Sequence, residues 1–303
     1  MIVQHVVPVD LAGERADKIV AVVAGLSRSV ARSLIDDGLV TVRGEPVDPK
    51  QRLPEGVELA IEMPVQHRLE AEAMPLVVRY EDDHVAVVDK PAGLVVHPGA
   101  GRASGTLAAG LLARWPGIEG VGQTDRWGIV HRLDREVSGL LAVALTEVAY
   151  ESLVGSLARR SVVREYRSLV WGELDAATGT IDAPIGRDPR APARMATQVE
   201  GRPARTHYRR TAHWSQAGLS LLEVSLETGR THQIRVHLSS IGHPVVGDRV
   251  YGRPGPPSVD PRRVWLHAAH LGFDHPVSGE PVSVDSPLPD DLRASLDALG
   301  PAD

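Results

Sequence analysis

The chain has 303 residues, 43% hydrophobic and 24% charged, which are globular values, and its length suits about two domains. It contains no cysteine, which excludes disulfides, thiolate metal sites, iron–sulfur clusters and a cysteine nucleophile. A net charge of −6 argues on average against a nucleic-acid partner, yet seven arginines fall within residues 187–210 against only Asp188 and Glu200, a local surplus of five.

Aromatics are only 4%, so Val, Leu, Ala and Ile must fill the core. The first ten residues lack the basic patch and apolar run of a signal peptide, and no stretch approaches the roughly 18 apolar residues of a membrane span. A cytoplasmic protein, monomeric and with no membrane partner, is expected.

Residues 1–64 read as a separate small α/β module. Helices are predicted over 15–24 and 27–37, the second with Ser27 as N-cap and Val30, Ala31, Leu34 and Ile35 on one face. Arg28 and Arg32, four apart, project from one side of it, as either an RNA contact or a solvated face. Short strands follow at 39–43 and 57–61. The polar, proline-flanked stretch 65–75 has the composition of a linker.

Over 76–303 the pattern turns to many short strands, predicted near 76–80, 84–89, 129–131, 140–145, 163–172, 195–213 (broken), 219–226 and 263–273. Helices are predicted at 104–114, at 146–159 and 231–240 with Thr146 and Thr231 as N-caps, and at 289–299. Strands in succession with a few helices between them indicate α+β. The basic run at 187–210 either tracks an RNA backbone, with Arg202 and Arg205 as contacts, or is a solvated strand surface.

Phosphate-loop and nucleophile-elbow motifs are absent. His232/His237 and His267/His270 lack the glutamate of a zinc-protease helix, so no metal is expected. The most informative run is Gly128-Ile-Val-His-Arg-Leu-Asp-Arg-Glu-Val-Ser-Gly-Leu-Leu, which sets Asp134 between Arg132 and Arg135 at a strand end. A carboxylate among guanidinium groups suits a nucleophile or electrostatic stabiliser, although an aspartate capping a turn gives the same local pattern. Thr228-Gly-Arg-Thr-His-Gln-Ile-Arg-Val-His, continuing to Asp248, sets Arg230 before a helix, which also fits a plain phosphate-binding N-terminus.

Lys90-Pro-Ala-Gly with Val96-His-Pro, Gly128-Ile-Val-His-Arg-Leu-Asp with Ser138-Gly-Leu-Leu, Tyr166, and Gly229-Arg-Thr-His-Gln-Ile-Arg-Val-His stand in one order over 76–285. In this the chain resembles the RNA pseudouridine synthases of the A/D type, those of the ribosomal large subunit. The leading module, through Ser27-Arg-Ser and Gly38-Leu-Val-Thr-Val, resembles a small RNA-binding module of a ribosomal small-subunit protein.

The resemblance implies a mixed, largely antiparallel central sheet with flanking helices and loops, and isomerisation of uridine to pseudouridine in a large-subunit ribosomal RNA stem-loop. Asp134 would attack the uracil ring or the ribose C1′, and Tyr166 would stack on the uracil and help remove the C5 proton. Arg230 would pair with Asp134, Arg132 would enter the gap left by the flipped nucleotide, and His131 would face the RNA. No cofactor is implied, since uridine and product are isomers. The family usually has Thr where this chain has Val137 and often Lys where it has Leu145. Two other functions compete: a non-catalytic RNA-binding or ribosome-assembly factor, and an aspartate phosphohydrolase, which would need metal-binding carboxylates around Asp134.

Overall fold

The computed structural model describes all residues except 1, 27, 64–68, 100–103, 123–125, 192, 254–258, 260 and 261, and the chain divides into two compact units, Met1–Arg68 and Leu69–Asp303. In the first unit, β1 (Ile2–Val6) precedes α1 (Ala16–Val23), α2 (Arg28–Asp36), β2 (Val40–Val42), β3 (Glu45–Pro46) and β4 (Glu58–Glu62). The strands form an antiparallel sheet in the order β1-β4-β2-β3. Ile19 and Val20 of α1, Ala31, Leu34 and Ile35 of α2, and Leu59 and Ile61 of β4 make its core, so three of the four residues read as the apolar face of α2 point inward while Val30 is exposed. The cap expected at Ser27 lies outside the described residues.

The second unit runs β5 (Val77–Glu81), β6 (Val85–Lys90), α3 (Leu107–Arg114), β7 (Ser138–Ala144), α4 (Glu147–Ala158), β8 (Val163–Trp171), β9 (Thr178–Asp182), β10 (Ile185–Arg187), β11 (Met195–Thr197), β12 (Arg205–Trp214), β13 (Leu219–Leu226), α5 (Gln233–Ser240), β14 (Leu266–Asp274), β15 (Pro281–Asp285) and α6 (Asp290–Asp297). The central sheet is ordered β5-β6-β7-β14-β8-β13-β12-β9, with β15 on β14. Only the β7–β14 pairing within it is parallel, giving the mixed, largely antiparallel sheet expected. Strands β10 and β11 form a separate hairpin. Thr106 and Thr146 cap α3 and α4, each hydroxyl accepting from the backbone N–H three residues on. Among the described residues no helix is long and apolar enough to cross a membrane.

Three local expectations are corrected. Residues 129–131 form no strand, only a bridge from Ile129 to Val143. Residues 69–75, expected as linker, pack on the second unit: Leu69 is buried in its core, Glu72 N–H donates to Ala109 O (3.1 Å), and the Glu72 carboxylate accepts from Gly105 N–H (2.9 Å). A polar, proline-flanked composition reads as a linker, but does not tell whether its backbone finds a partner. Finally, α5 starts at Gln233, not at Thr231, because His232 takes a left-handed conformation (φ 57°).

The register across the sheet positions the site. Gly139 of β7 lies opposite Ala268 of β14, and Ala268 lies opposite Tyr166 of β8. The loop entering β7, which carries Asp134, therefore emerges beside Tyr166. Gly139 has φ 115°, and a Cβ there would collide with the backbone of Ala268, so only glycine lets the two strands meet.

Candidate active site

Asp134 is held through one oxygen. Arg235 Nη1 donates to its Oδ2 at 2.9 Å, and Oδ1 has no hydrogen-bond partner among the described residues. Arg235 is fixed from behind by Asp248, with Nε to Oδ2 at 2.7 Å and Nη2 to Oδ1 at 3.0 Å. Asp248 Oδ1 also accepts from the N–H groups of Val250 and Tyr251. Burial works against the guanidinium, but the contacts with Asp248 and Asp134 outweigh it and raise Arg235 above its ordinary range. The same contact, against burial, holds Asp248 below the usual carboxylate range.

The pairing expected between Arg230 and Asp134 is thus corrected to Arg235. Arg230 stays in the loop before α5, where its Nε donates to Pro203 O (3.0 Å). Gln233 Oε1 ties that loop down by accepting from Arg230 N–H (3.0 Å) and the Thr228 hydroxyl (2.7 Å). With the helix beginning two residues later than expected, Arg235 falls in its first turn and reaches Asp134.

A cavity of about 480 Å³ gathers Asp134, Tyr166, Arg235, Arg230, Arg132 and Arg164. Tyr166 is buried on β8, and its hydroxyl has no hydrogen-bond partner among the described residues. Burial raises the phenol, Arg164 works against that rise, and Asp134 adds to it. Arg132 is exposed beside Asp134, with no partner among the described residues.

His131 lines the cavity, but its Nε2 accepts the backbone N–H of Ala142 (3.0 Å), and burial with the nearby Arg164 pushes the imidazole down to about 3. It is a neutral wall residue, anchored to β7 rather than offered to RNA through that nitrogen. His232, unremarked as a site residue from sequence, lies with Nε2 4.0 Å from Asp134 Oδ2, and its Nδ1 is 2.8 Å from the Tyr251 hydroxyl.

Other contributors were also invisible as such in the sequence. Lys90 is fully buried, and its Nζ donates to the carbonyls of Pro91 (2.9 Å), Leu94 (3.0 Å) and Arg135 (3.2 Å). Gly93 N–H donates to the same Arg135 carbonyl at 2.7 Å. The Lys-Pro-Ala-Gly turn is therefore bolted to the residue after Asp134. Of the histidines weighed as metal ligands, His237 bonds Thr206 and Ala183, and His267 bonds Ser138 and Ser286.

The arginines expected to touch RNA differ in their freedom. In the first unit Arg28 pairs with Asp17 (3.0 Å) and Arg32 with Asp36 (3.5 Å), both guanidinium groups remaining more than half exposed. Arg202 is exposed and unpaired among the described residues, and it lies close enough to Arg230 to act on its charge. Arg205 pairs with Asp182 (2.6 Å) and Glu227 (3.5 Å), Arg209 with Glu223, and Arg210 with Glu173 (3.0 Å). Much of the basic surplus counted along the chain is cancelled in space.

Residues 84–240 match the family model described as RNA pseudouridylate synthase, and residues 14–59 match the S4 domain. The chain is 45% identical over 98% of its length to the ribosomal large subunit pseudouridine synthase D of Nitrosomonas europaea, covering 88% of that protein. It is 48% identical over 97% of its length to an uncharacterized RNA pseudouridine synthase of Chloroflexus aurantiacus, covering 92% of it. Among solved structures, human RNA pseudouridylate synthase domain containing 1 aligns with a TM-score of 0.58 at 31% identity, over 73% of this chain and 87% of that one. With an S4 domain in its first unit and a cavity built around Asp134 in its second, the chain belongs to the RNA pseudouridylate synthase family.

Proposed function

We propose that this protein converts uridine to pseudouridine in large-subunit ribosomal RNA, with Asp134, Tyr166 and Arg235 as its working residues. The observation that carries the reading is Asp134 itself: one carboxylate oxygen is fixed by a doubly anchored arginine, the other has no hydrogen-bond partner among the described residues, and the residue lines a cavity together with Tyr166. The target nucleotide leaves its stack, at a cost of roughly a few kcal/mol, and exposed Arg132 fills the gap. Asp134 adds to the uracil ring or the ribose C1′, the N1–C1′ bond breaks, the base turns, a C5–C1′ bond forms, and the bond to Asp134 breaks to free the carboxylate. Tyr166 stacks on the base and helps remove the C5 proton while N1 gains one, so atoms balance without a cofactor.

The choice of ribosomal RNA rests on the relatives that share nearly the whole chain. In the same reading the S4 unit adds RNA affinity through exposed Arg28 and Arg32, and the enzyme acts as a cytoplasmic monomer. The non-catalytic alternative finds no support in a site that keeps Asp134, Arg235 and Tyr166 together. The test is tritium release from C5-tritiated ribosomal RNA by the purified protein, followed by mapping of the product positions. No release from any ribosomal RNA overturns the proposal.

A further inference from the structure

Arg164 stands apart from the other cations of the cavity. It lies on β8 two residues before Tyr166, hence on the same sheet face, and is only 7% exposed. Its Nη2 donates to the carbonyls of Leu226 (3.2 Å) and Glu227 (3.3 Å), while its buried Nε has no partner. Among the described residues no carboxylate pairs with it. Arg235 sits between Asp134 and Asp248, Arg160 pairs with Glu227 (2.7 Å), and Arg132 is exposed to water. A guanidinium buried without an anion is costly, and burial does work against its charge. A fold that keeps one at the cavity wall has a use for an unneutralised positive charge there.

We propose that Arg164 receives the negative charge that develops on the uracil when its bond to the ribose breaks, as a donor to the oxygens of the detached pyrimidine. The inference rests on the isomerase reading above. When the N1–C1′ bond breaks, its electron pair stays with the base and spreads over N1 and the two carbonyl oxygens. The charge disappears again when C5 bonds C1′, the C5 proton leaves and N1 is protonated. Arg235 cannot serve this anion, since two carboxylates already outweigh its charge. The RNA phosphates meet the exposed Arg132 and Arg202 before they could reach a residue as buried as Arg164. A preorganised donor aimed at charge present only after bond cleavage accelerates the reaction without tightening substrate binding.

Full-length Arg164→Gln and Arg164→Lys proteins are compared with the wild type by tritium release in single turnovers at saturating ribosomal RNA, and by filter binding. Arg164→Gln is expected to slow release by about 10²–10³-fold, the range for one lost donor at a developing anion, with affinity within about threefold. Arg164→Lys is expected to restore much of the rate near neutral pH and to lose it as pH rises from about 7 to 9, because a lysine buried there titrates where the guanidinium does not.

An Arg164→Gln protein with the wild-type saturated rate overturns the proposal. So does one that loses affinity alone, which would make Arg164 a phosphate anchor. If the Gln protein fails to fold, the lysine protein decides, and a pH profile parallel to the wild type overturns the inference. Inactive wild-type protein overturns the isomerase reading itself; active wild type with indifferent Arg164 variants overturns only the charge receptor.

Discussion

Asp134 and Arg235 form a pair whose two members answer differently to mutation. Asp134→Asn keeps the shape of the side chain and removes the proposed nucleophile, so tritium release is expected to vanish while RNA affinity stays near wild type; release at a normal rate by the Asn protein would end the mechanism. Arg235→Ala strands two carboxylates, one of them fully buried, and should cost about 3–5 kcal/mol of stability together with the activity. Arg230→Ala exposes no buried charge, so it should weaken RNA binding more than it slows the saturated step. Urea melts and single-turnover rates on the two arginine variants check this contrast, and equal behaviour would refute it. Asp134 was legible in the sequence through the resemblance that the His131-Arg-Leu-Asp run carries, since on local pattern alone an aspartate capping a turn reads as well. Its partner was not. Arg230 and Arg235 lie in the same motif, and the choice between them turns on a left-handed His232 and on Asp248, which is distant from Asp134 in sequence.

At the scale of elements, the Thr146 cap and the inward Ala31, Leu34 and Ile35 of α2 were readable because they follow from local spacing, whereas Thr106 was not singled out and the cap read at Thr231 gave way to a left-handed His232. Strand β1 was missed because its partner β4 lies far along the chain, and β3, β9, β10 and β15 because they are short and carry mixed, partly exposed residues. The turn after β6 reads merely as a turn, yet Lys90 uses it to hold the loop that carries Asp134. Burial pushes Lys90 down to about 8 in the folded chain, against 10.5 for a free lysine. Between those values the unfolded chain binds more protons, so the folded state gains stability as pH rises from 8 to 10.5; below 8 the buried charge carries its full penalty. The gap corresponds to about 3 kcal/mol. Urea midpoints of the wild type and Lys90→Met at about pH 7 and pH 10 should therefore diverge in favour of the wild type at the higher pH. A difference that does not move with pH would show that burial leaves Lys90 as basic as a free lysine, charged in both states across the range.

At the scale of the whole molecule, an acidic chain that binds RNA must concentrate its free positive charge, and the sequence overstates where that charge lies. Three of the seven arginines within 187–210, namely Arg205, Arg209 and Arg210, are paired with carboxylates from β9, β13 and neighbouring loops. Strand pairing brings those acids in from just outside the 187–210 run, so the count over that run alone overstates the free charge. Arg202 keeps its charge and lies near Arg230 at the cavity, where a phosphate flanking the flipped nucleotide would pass. Each phosphate neutralised by a free cation releases a counterion, whereas a cation already matched by Asp182 and Glu227 releases none. Arg202→Gln is therefore expected to flatten the salt dependence of RNA binding by roughly 0.7–0.9 in log–log slope, and Arg205→Gln to leave that slope unchanged. Affinities at several salt concentrations decide the matter. Equal flattening by both variants would mean that the RNA opens the Arg205 pairs on binding, and no flattening by either would return Arg202 to the ordinary solvated surface.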